Sequence, residues 1–205
     1  MTVHGLNPAA GRFVAHEGRA AFAALRDDWD ALAAASSPSP YTTHAWLLAF
    51  LDGFGLADRV VCPALHSQDG SLRAAACLLR DRFGSYMSAA NDHSGDWDVI
   101  AADDLARSGL LSALTELGAP RLVLAHLIGD SPTVPTMRTA LADHEYRVLA
   151  TPGNRSPYLE LPGSYDELLG GLSRNMRSQV ARRGRQLEKE HGGDLELVQV
   201  ERGTA

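Results

Sequence analysis

The chain has 205 residues, of which 45% are apolar and 21% are charged, a balance typical of an ordinary folded protein and not of a disordered or fibrous one. Its formal charge of −6 argues against a nucleic-acid or anionic-membrane surface over the whole molecule, so nucleic acid is not an expected partner. No apolar run approaches the ~20 residues of a membrane helix, and residues 1–12 lack the pattern of a secretory signal. We therefore expect a cytoplasmic protein without a membrane span.

The first third of the chain predicts a strand, two helices and the start of a sheet. A strand around 12–15 precedes one helix over 19–35, in which apolar residues recur every three or four positions. The prolines at positions 38 and 40 interrupt the chain. A second helix follows, with Thr42 or Thr43 as its N-cap.

Asp69 and Gly70 predict a two-residue hairpin turn between strands 59–67 and 72–80. If Gln68 faces Ser71, Cys62 lies opposite Cys77. The pair is interpreted as two small apolar side chains stacked across a sheet in a reducing compartment, with a redox pair as the alternative.

The remaining chain predicts two more groups of elements. The first contains a strand at 84–89, a polar loop at 91–98, a helix at 102–117 that Gly118 ends, a strand at 121–127, a helix at 132–144, and strands at 146–151 and 158–161. Ser164 and Glu167 form a capping box at the start of a second group, which continues with a helix at 173–190 and a strand at 194–201. The predicted domains are therefore residues 1–163 and an incomplete second unit, 164–205.

Four segments and the element order carry a family resemblance. The segments are 39–46 (SPYTTHAW), 91–94 (NDHS), 156–162 (SPYLELP) and 172–188. With the order β-α-α-β-β-β-α-β-α-β-β they resemble the CelD/BcsL-like branch of the GNAT acyltransferases, distant relatives of the Fem-type aminoacyl transferases. The resemblance implies an α/β (α+β) fold with a GNAT-like mixed, mostly antiparallel sheet flanked by helices, followed by the start of a second lobe.

The resemblance also implies a function. It implies an acetyl-CoA-dependent N-acyltransferase that acts on a small amine or amino sugar in cell-surface polysaccharide synthesis. The chain would be the N-terminal, substrate-side lobe, cut short after the first lobe and paired with a second GNAT lobe or with itself. The alternatives are a non-catalytic, degenerate GNAT binding module or a truncated fragment.

Acetyl-CoA is the cofactor implied for the family, whose members hold its pyrophosphate with a Q/R-x-x-G-x-G/A loop before a helix. The corresponding stretch here, 91–104, contains a single glycine, Gly95, and five aspartates. Because carboxylates repel a pyrophosphate, we expect this chain alone not to bind coenzyme A in the usual way.

The 91–98 loop supplies most of the candidate site residues. Asn91, Asp92, His93, Asp96 and Trp97 are candidates for substrate binding. His93 could also act as a general base oriented by a neighbouring aspartate, and Trp97 could stack on a sugar. The alternative is that the polar residues cap and turn the chain while Trp97 packs inside. No metal site is predicted, because the histidines lack ligand spacing and the aspartates do not follow a calcium loop.

Two further groups of residues are candidates. Tyr158 is a second catalytic candidate, as the hydroxyl that donates a proton to a leaving thiolate, or it is half-buried packing. Arg177, Arg182 and Arg183 lie on the predicted helix 173–190. They could bind an anionic substrate or a nucleotide phosphate, contact nucleic acid, or form a solvated face in which Arg185 pairs with Glu188 and Glu190.

Overall fold

The computed structural model describes residues 11–36, 39–141, 146–153 and 159–192, and these form a mixed α/β arrangement. The strands are β1 (Arg12–Glu17), β2 (Val60–His66), β3 (Leu72–Ala75), β4 (Leu78–Arg80), β5 (Tyr86–Ser88), β6 (Ile100–Ala101) and β7 (Leu122–Val123). The α-helices are α1 (Arg19–Ala23), α2 (Arg26–Ser36), α3 (His44–Gly53), α4 (Asp104–Ala113), α5 (Thr133–Ala140), α6 (Tyr165–Gly171) and α7 (Arg174–His191). The strands form one sheet in the order β6-β3-β2-β4-β5-β7, with β1 paired to β2.

The described strand pairs are antiparallel except β5 with β7, which are parallel. The sheet is therefore mixed and mostly antiparallel, as expected, and helices flank it. Because parallel neighbours end at the same edge, the chain leaves β5 and β7 at a common edge of the sheet.

Alternation along β2 divides the core between the two faces of the sheet. Cys62 and Ala64 pack with side chains of α1, α2 and α3 on one face, while Val61 and Leu65 pack with α4 on the other. This is the period-2 pattern of a strand buried on both sides. Each face thus has its own layer of helices.

The predicted helix 19–35 is instead two helices. Leu25 bonds through its backbone N–H to the Phe22 carbonyl and then accepts from Trp29, so the chain turns between α1 and α2. The turn lets Phe22 and Trp29, which are 0% and 1% exposed, meet edge to face with ring centroids 5.4 Å apart. Packing of the two aromatic rings and the hydrogen bond from the Trp29 indole to the Thr42 carbonyl favour this turn over one continuous helix.

The predicted strand 72–80 is also divided. Pro63 of β2 lies between two stretches of regular pairing with β3 and β4. Proline has no N–H, so the only ladder bond left at this position is the one that Ala76 donates to the Pro63 carbonyl, at 3.0 Å. The ladder is therefore interrupted between β3 and β4.

Cys62 lies opposite Cys77, as predicted, although the turn differs from the expected one. At the turn, the backbone N–H of Ser67 bonds to the Ser71 carbonyl, which is one residue out of the expected register. A register shift between Leu65 and His66 then returns the two strands to the expected pairing, with Ala64 opposite Ala75. Both thiols are free and buried. Burial, and then the neighbouring Cys77, raises the pKa of the Cys62 thiol, which disfavours a reactive thiolate and supports the packing interpretation.

Three predicted strands after residue 120 are shorter or missing. The strand predicted at 121–127 is reduced to β7, because Ala125 bonds to the Ser88 side chain instead of to a backbone neighbour. Residues 146–153 form no strand, and Tyr146 instead donates its hydroxyl to the Ala119 carbonyl at 2.6 Å. The strand predicted at 158–161 is wrong over its described part, where Leu159 and Leu161 are 60% and 80% exposed and lack a strand partner.

The chain divides into two compact units, Met1–Gly153 and Asn154–Ala205. In the second unit, Ser164 accepts a hydrogen bond from the Glu167 backbone N–H at the start of α6, and Ser173 caps α7 in the same way. Gly192, in the left-handed conformation at φ 78°, ends α7. The predicted strand 194–201 lies outside the described residues. Within the described part, no helix is long and apolar enough to cross a bilayer.

A histidine pair joins β1 to β2 and makes stability depend on pH. His66 donates from Nδ1 to the Gly70 carbonyl at 3.1 Å, which leaves its Nε2 to face Nε2 of His16 at 3.4 Å. Burial, then His66 and Arg12, lowers the pKa of His16 below its ordinary 6.5. The unfolded chain therefore binds a proton at His16 more readily than the folded chain does. The contribution of neutral His16 to folding stability is fully present above pH 6.5 and is lost as the pH falls through the lowered pKa of the folded state.

We expect denaturant unfolding to show the folded protein losing stability as the pH falls below 6.5. His16→Gln removes the imidazole and should flatten this dependence, whereas His93→Gln, at an exposed position, should leave it. The assignment fails if both variants retain the slope of the parent chain.

Candidate functional site

The candidate site lies where the chain leaves the parallel strands β5 and β7. The 91–98 loop follows β5, and the segment 124–130 follows β7. Two contacts hold them together. Ser88 Oγ donates to the Ala125 carbonyl at 3.2 Å and accepts from the Ala125 backbone N–H at 3.0 Å. The backbone N–H of Trp97 donates to the His126 carbonyl at 2.9 Å. Chain segments beyond the carboxyl ends of parallel strands are common ligand sites in α/β proteins. We call this region the strand-end site.

Local hydrogen bonds shape the first half of the loop. The Asn91 side chain accepts from the His93 N–H at 2.9 Å, which is an Asx turn. Ser94, which is buried, accepts from the Asn91 N–H at 2.7 Å and donates to its carbonyl at 2.8 Å. These bonds fix the backbone, while the side chains of Asp92 and His93 are exposed.

The second half of the loop is anchored to the core. The Trp97 side chain is only 3% exposed, and its indole N–H donates to the Cys77 carbonyl at 2.9 Å. Asp98 accepts from the Thr133 hydroxyl at 2.5 Å, which ties the loop to α5. The prediction that Trp97 stacks on a substrate is therefore wrong, because its ring is enclosed by the core.

His126 is a site residue that the sequence did not indicate. It is the only non-glycine residue with positive φ in the described part of the chain, at 63°, and such strain concentrates at functional sites. Its Nε2 lies 3.9 Å from Oδ1 of Asp92, and its side chain is 29% exposed. Residue 126 lies within the buried strand predicted at 121–127, and nothing in that pattern signals a positive φ.

Three aromatic residues from the 39–54 region lie beside the loop. The Tyr41 ring packs on Gly95, where an added Cβ would lie 2.4 Å from Tyr41 Cε2, and the Trp46 ring meets Tyr41 edge to face at 4.9 Å. The Phe54 ring lies nearly parallel to the His93 imidazole, at 11°, with centroids 6.5 Å apart. Tyr41, Trp46 and Phe54 form what we call the aromatic wall. Two segments that carry the family resemblance, 39–46 and 91–94, thus belong to one surface.

The site combines negative charge with ring surfaces. Asp92 and Asp96 are exposed carboxylates, and Trp46 and Phe54 are 37% and 50% exposed. Exposed carboxylates attract an ammonium group, and aromatic faces bind either a cation or the apolar face of a sugar ring. His93 and His126 add imidazole rings, whose nitrogens can donate or accept a hydrogen bond. The described residues contain no cluster of three side chains suited to hold a metal ion.

The other predicted site residues belong to the second unit. Arg177 donates to the carbonyls of Gly170 and Leu172, at 3.2 and 2.8 Å, and so satisfies the end of α6. Arg182 and Arg183 are exposed on α7. Glu190 accepts from Gln186, and neither Glu188 nor Glu190 has an ion pair with Arg185 among the described residues. Tyr158 lies outside the described residues.

The start of α4 does not fit the pyrophosphate of coenzyme A. The Asp103 side chain already accepts from the Ala106 N–H at 2.8 Å, and Asp104 adds a second carboxylate to the first turn. Arg73 and Arg107 lie close by, but each is paired with one of these aspartates. The free N–H groups and positive charge that an anion requires are thus occupied by the chain's own carboxylates.

Comparison with known proteins adds no relative. No protein-family model, curated protein or solved structure matches the chain.

Proposed function

We propose that the chain is the acceptor-binding lobe of a GNAT-type N-acyltransferase that acts in the cytoplasm on a small amine or amino sugar, with cell-surface polysaccharide synthesis as the process it serves. The observation that carries this proposal is the strand-end site, in which exposed carboxylates, two imidazoles and the aromatic wall adjoin the ends of parallel strands. The two resemblance segments that meet there support it.

The chemistry of an amine acceptor matches these groups. At neutral pH the amine enters as an ammonium ion, which Asp92 and Asp96 attract, while the aromatic wall covers an apolar ring face. Acyl transfer needs the neutral amine, because only its free lone pair is nucleophilic. The His126 imidazole accepts the ammonium proton, and Asp92, 3.9 Å away, stabilises the resulting imidazolium.

The start of α4 supports an acceptor-binding role in particular. Because its carboxylates exclude the pyrophosphate, the acyl donor would be held by a second lobe. We expect acetyl-CoA alone not to raise the melting temperature of this chain. A ligand present at 100 times its dissociation constant adds about 2.7 kcal/mol to stability, so a clear shift with acetyl-CoA would contradict the assignment of this lobe.

Binding of glucosamine, followed by NMR or calorimetry, tests the acceptor role directly. N-acetylglucosamine is the matched ligand, because it has the same ring without the ammonium group. We expect glucosamine to bind more tightly than N-acetylglucosamine, and Asp92→Asn to weaken glucosamine binding about tenfold, which corresponds to about 1.4 kcal/mol.

Phe54→Ala should weaken both sugars, since it removes ring surface, and Asp166→Asn, at an exposed site in the second unit, should change neither. Equal binding of the two sugars would favour the second candidate, a non-catalytic GNAT-like binding module, which the occupied helix start of α4 also favours. Absence of binding to either sugar would reject both.

A further inference from the structure

A concave surface lies at the other end of β5, away from the strand-end site. It is a groove of about 610 Å³ between the end of β1, the start of β2 and the hairpin that joins β4 to β5. This volume lies within the range of small-molecule sites. Its lining includes Arg59, Arg80, Arg82 and Phe83, together with the acidic residues Glu17, Asp58 and Asp81.

Arg59, Arg80 and Arg82 bring three guanidiniums to this groove. Within the described part of the chain none of them forms an ion pair, whereas Arg19, Arg73 and Arg107 each pair with an aspartate. The exposed arginines of the groove therefore keep their charge available. A guanidinium binds phosphate or carboxylate through two parallel N–H···O bonds.

Local contacts restrict these arginines and their hairpin. Arg59 donates from Nε to the Arg80 carbonyl at 3.1 Å, which leaves its terminal nitrogens free. The guanidinium carbons of Arg80 and Arg82 lie 6.0 and 4.7 Å from the ring centroids of Tyr86 and Phe83. The Asp81 carboxylate accepts from the N–H groups of Phe83 and Ser85, at 2.8 and 2.9 Å, and so holds the hairpin tip. The three charges are thus partly oriented before any ligand arrives.

Phe83 adds an apolar ring that lies mostly in solvent beside the Arg82 guanidinium. It is 72% exposed at the tip of the hairpin, where a polar residue would cost less in water. Glu17 and Asp58 also line the groove, from the β1–β2 side, and Asp81 lines it from the hairpin, where its carboxylate accepts the two backbone N–H groups. They disfavour a polyanion and favour a small ligand with one anionic group.

We propose that this groove binds a small-molecule oxyanion, a phosphate or carboxylate, through Arg59, Arg80 and Arg82, with Phe83 covering an attached ring. The ligand differs in charge from the amine proposed for the strand-end site, and the two sites lie at opposite ends of β5. The groove therefore stands independently of the acyltransferase proposal.

Calorimetric titration with phenyl phosphate, inorganic phosphate and benzoate tests the groove. We expect phenyl phosphate to bind more tightly than inorganic phosphate, because only the former has a ring for Phe83. Arg59→Gln and Arg82→Gln should each weaken phenyl phosphate binding at least fivefold. Phe83→Ala should remove the advantage of the ring while inorganic phosphate binds as before. The benzoate arm shows whether a carboxylate can replace the phosphate.

Arg138→Gln is the matched control, since it removes an exposed arginine of α5 that does not line the groove. Melting temperatures of all variants establish that they fold. The proposal is overturned if phenyl phosphate shows no saturable binding to the parent chain. It is equally overturned if Arg138→Gln weakens binding as much as the groove variants, because the effect would then be one of net charge only.

Discussion

Trp97→Ala is expected to lower the free energy of unfolding by about 3–5 kcal/mol, the usual cost of removing a buried tryptophan side chain. The ring is 3% exposed and packs in the cluster that also contains Leu110 and Leu111 of α4. Its indole N–H bonds to the Cys77 carbonyl at 2.9 Å. Urea unfolding of the parent chain and the variant, with equal slopes against denaturant, measures the loss.

Two further variants separate the contributions of Trp97. In Trp97→Phe most of the packing remains, and the Cys77 carbonyl keeps the Ala89 N–H as a donor at 3.0 Å, so a loss of about 1 kcal/mol is expected. Trp46→Ala removes a tryptophan that is 37% exposed and meets Tyr41 edge to face, at a cost of about 1 kcal/mol. If Trp46→Ala proved more destabilising than Trp97→Ala, the burial of Trp97 would be wrong.

Gly95→Ala is expected to destabilise the protein by about 2–5 kcal/mol, for two reasons that add. Gly95 has φ 69°, a left-handed conformation that costs a residue with a side chain about 1–2 kcal/mol. In addition, the new Cβ would lie 2.4 Å from the Tyr41 ring, and overpacking of this kind costs about 1–3 kcal/mol.

Gly84→Ala provides the control, because Gly84 also has positive φ, 81°, but nothing lies within 4 Å of an added Cβ. It should show only the backbone cost, so the difference between the two variants measures the steric contact. Adding Tyr41→Ala to Gly95→Ala should recover part of the stability lost through that contact. No recovery would mean that Tyr41 does not pack on Gly95.

Gly95→Ala also connects stability with the proposed function. Displacement of the Tyr41 ring moves one member of the aromatic wall, and its neighbour Trp46 with it. Gly95→Ala should therefore weaken glucosamine binding, whereas Gly84→Ala should not. Both glycines have positive φ, 69° for Gly95 and 81° for Gly84, so a difference in binding would be due to the aromatic wall.

Several features of the fold could be predicted from the sequence because they depend on neighbours within one or two turns of chain. Thr43 caps α3 and Ser164 caps α6 through side chains that accept N–H groups three residues on. Gly118, at φ 60°, ends the helical segment that begins with α4. The opposition of Cys62 and Cys77 follows from strand alternation, which a bulge beside the turn restores.

Other features were decided by residues far apart in the sequence. The break between α1 and α2 depends on how Phe22 and Trp29 pack together, and the end of β7 depends on the hydroxyl of Ser88, 37 residues before Ala125. The candidate site shows the same division. The sequence by itself identified the polar 91–98 loop, whereas the tertiary structure buried Trp97, placed His126 beside Asp92 and brought Tyr41 onto Gly95. Burial and distance between such residues depend on long-range packing, which short-range patterns do not encode.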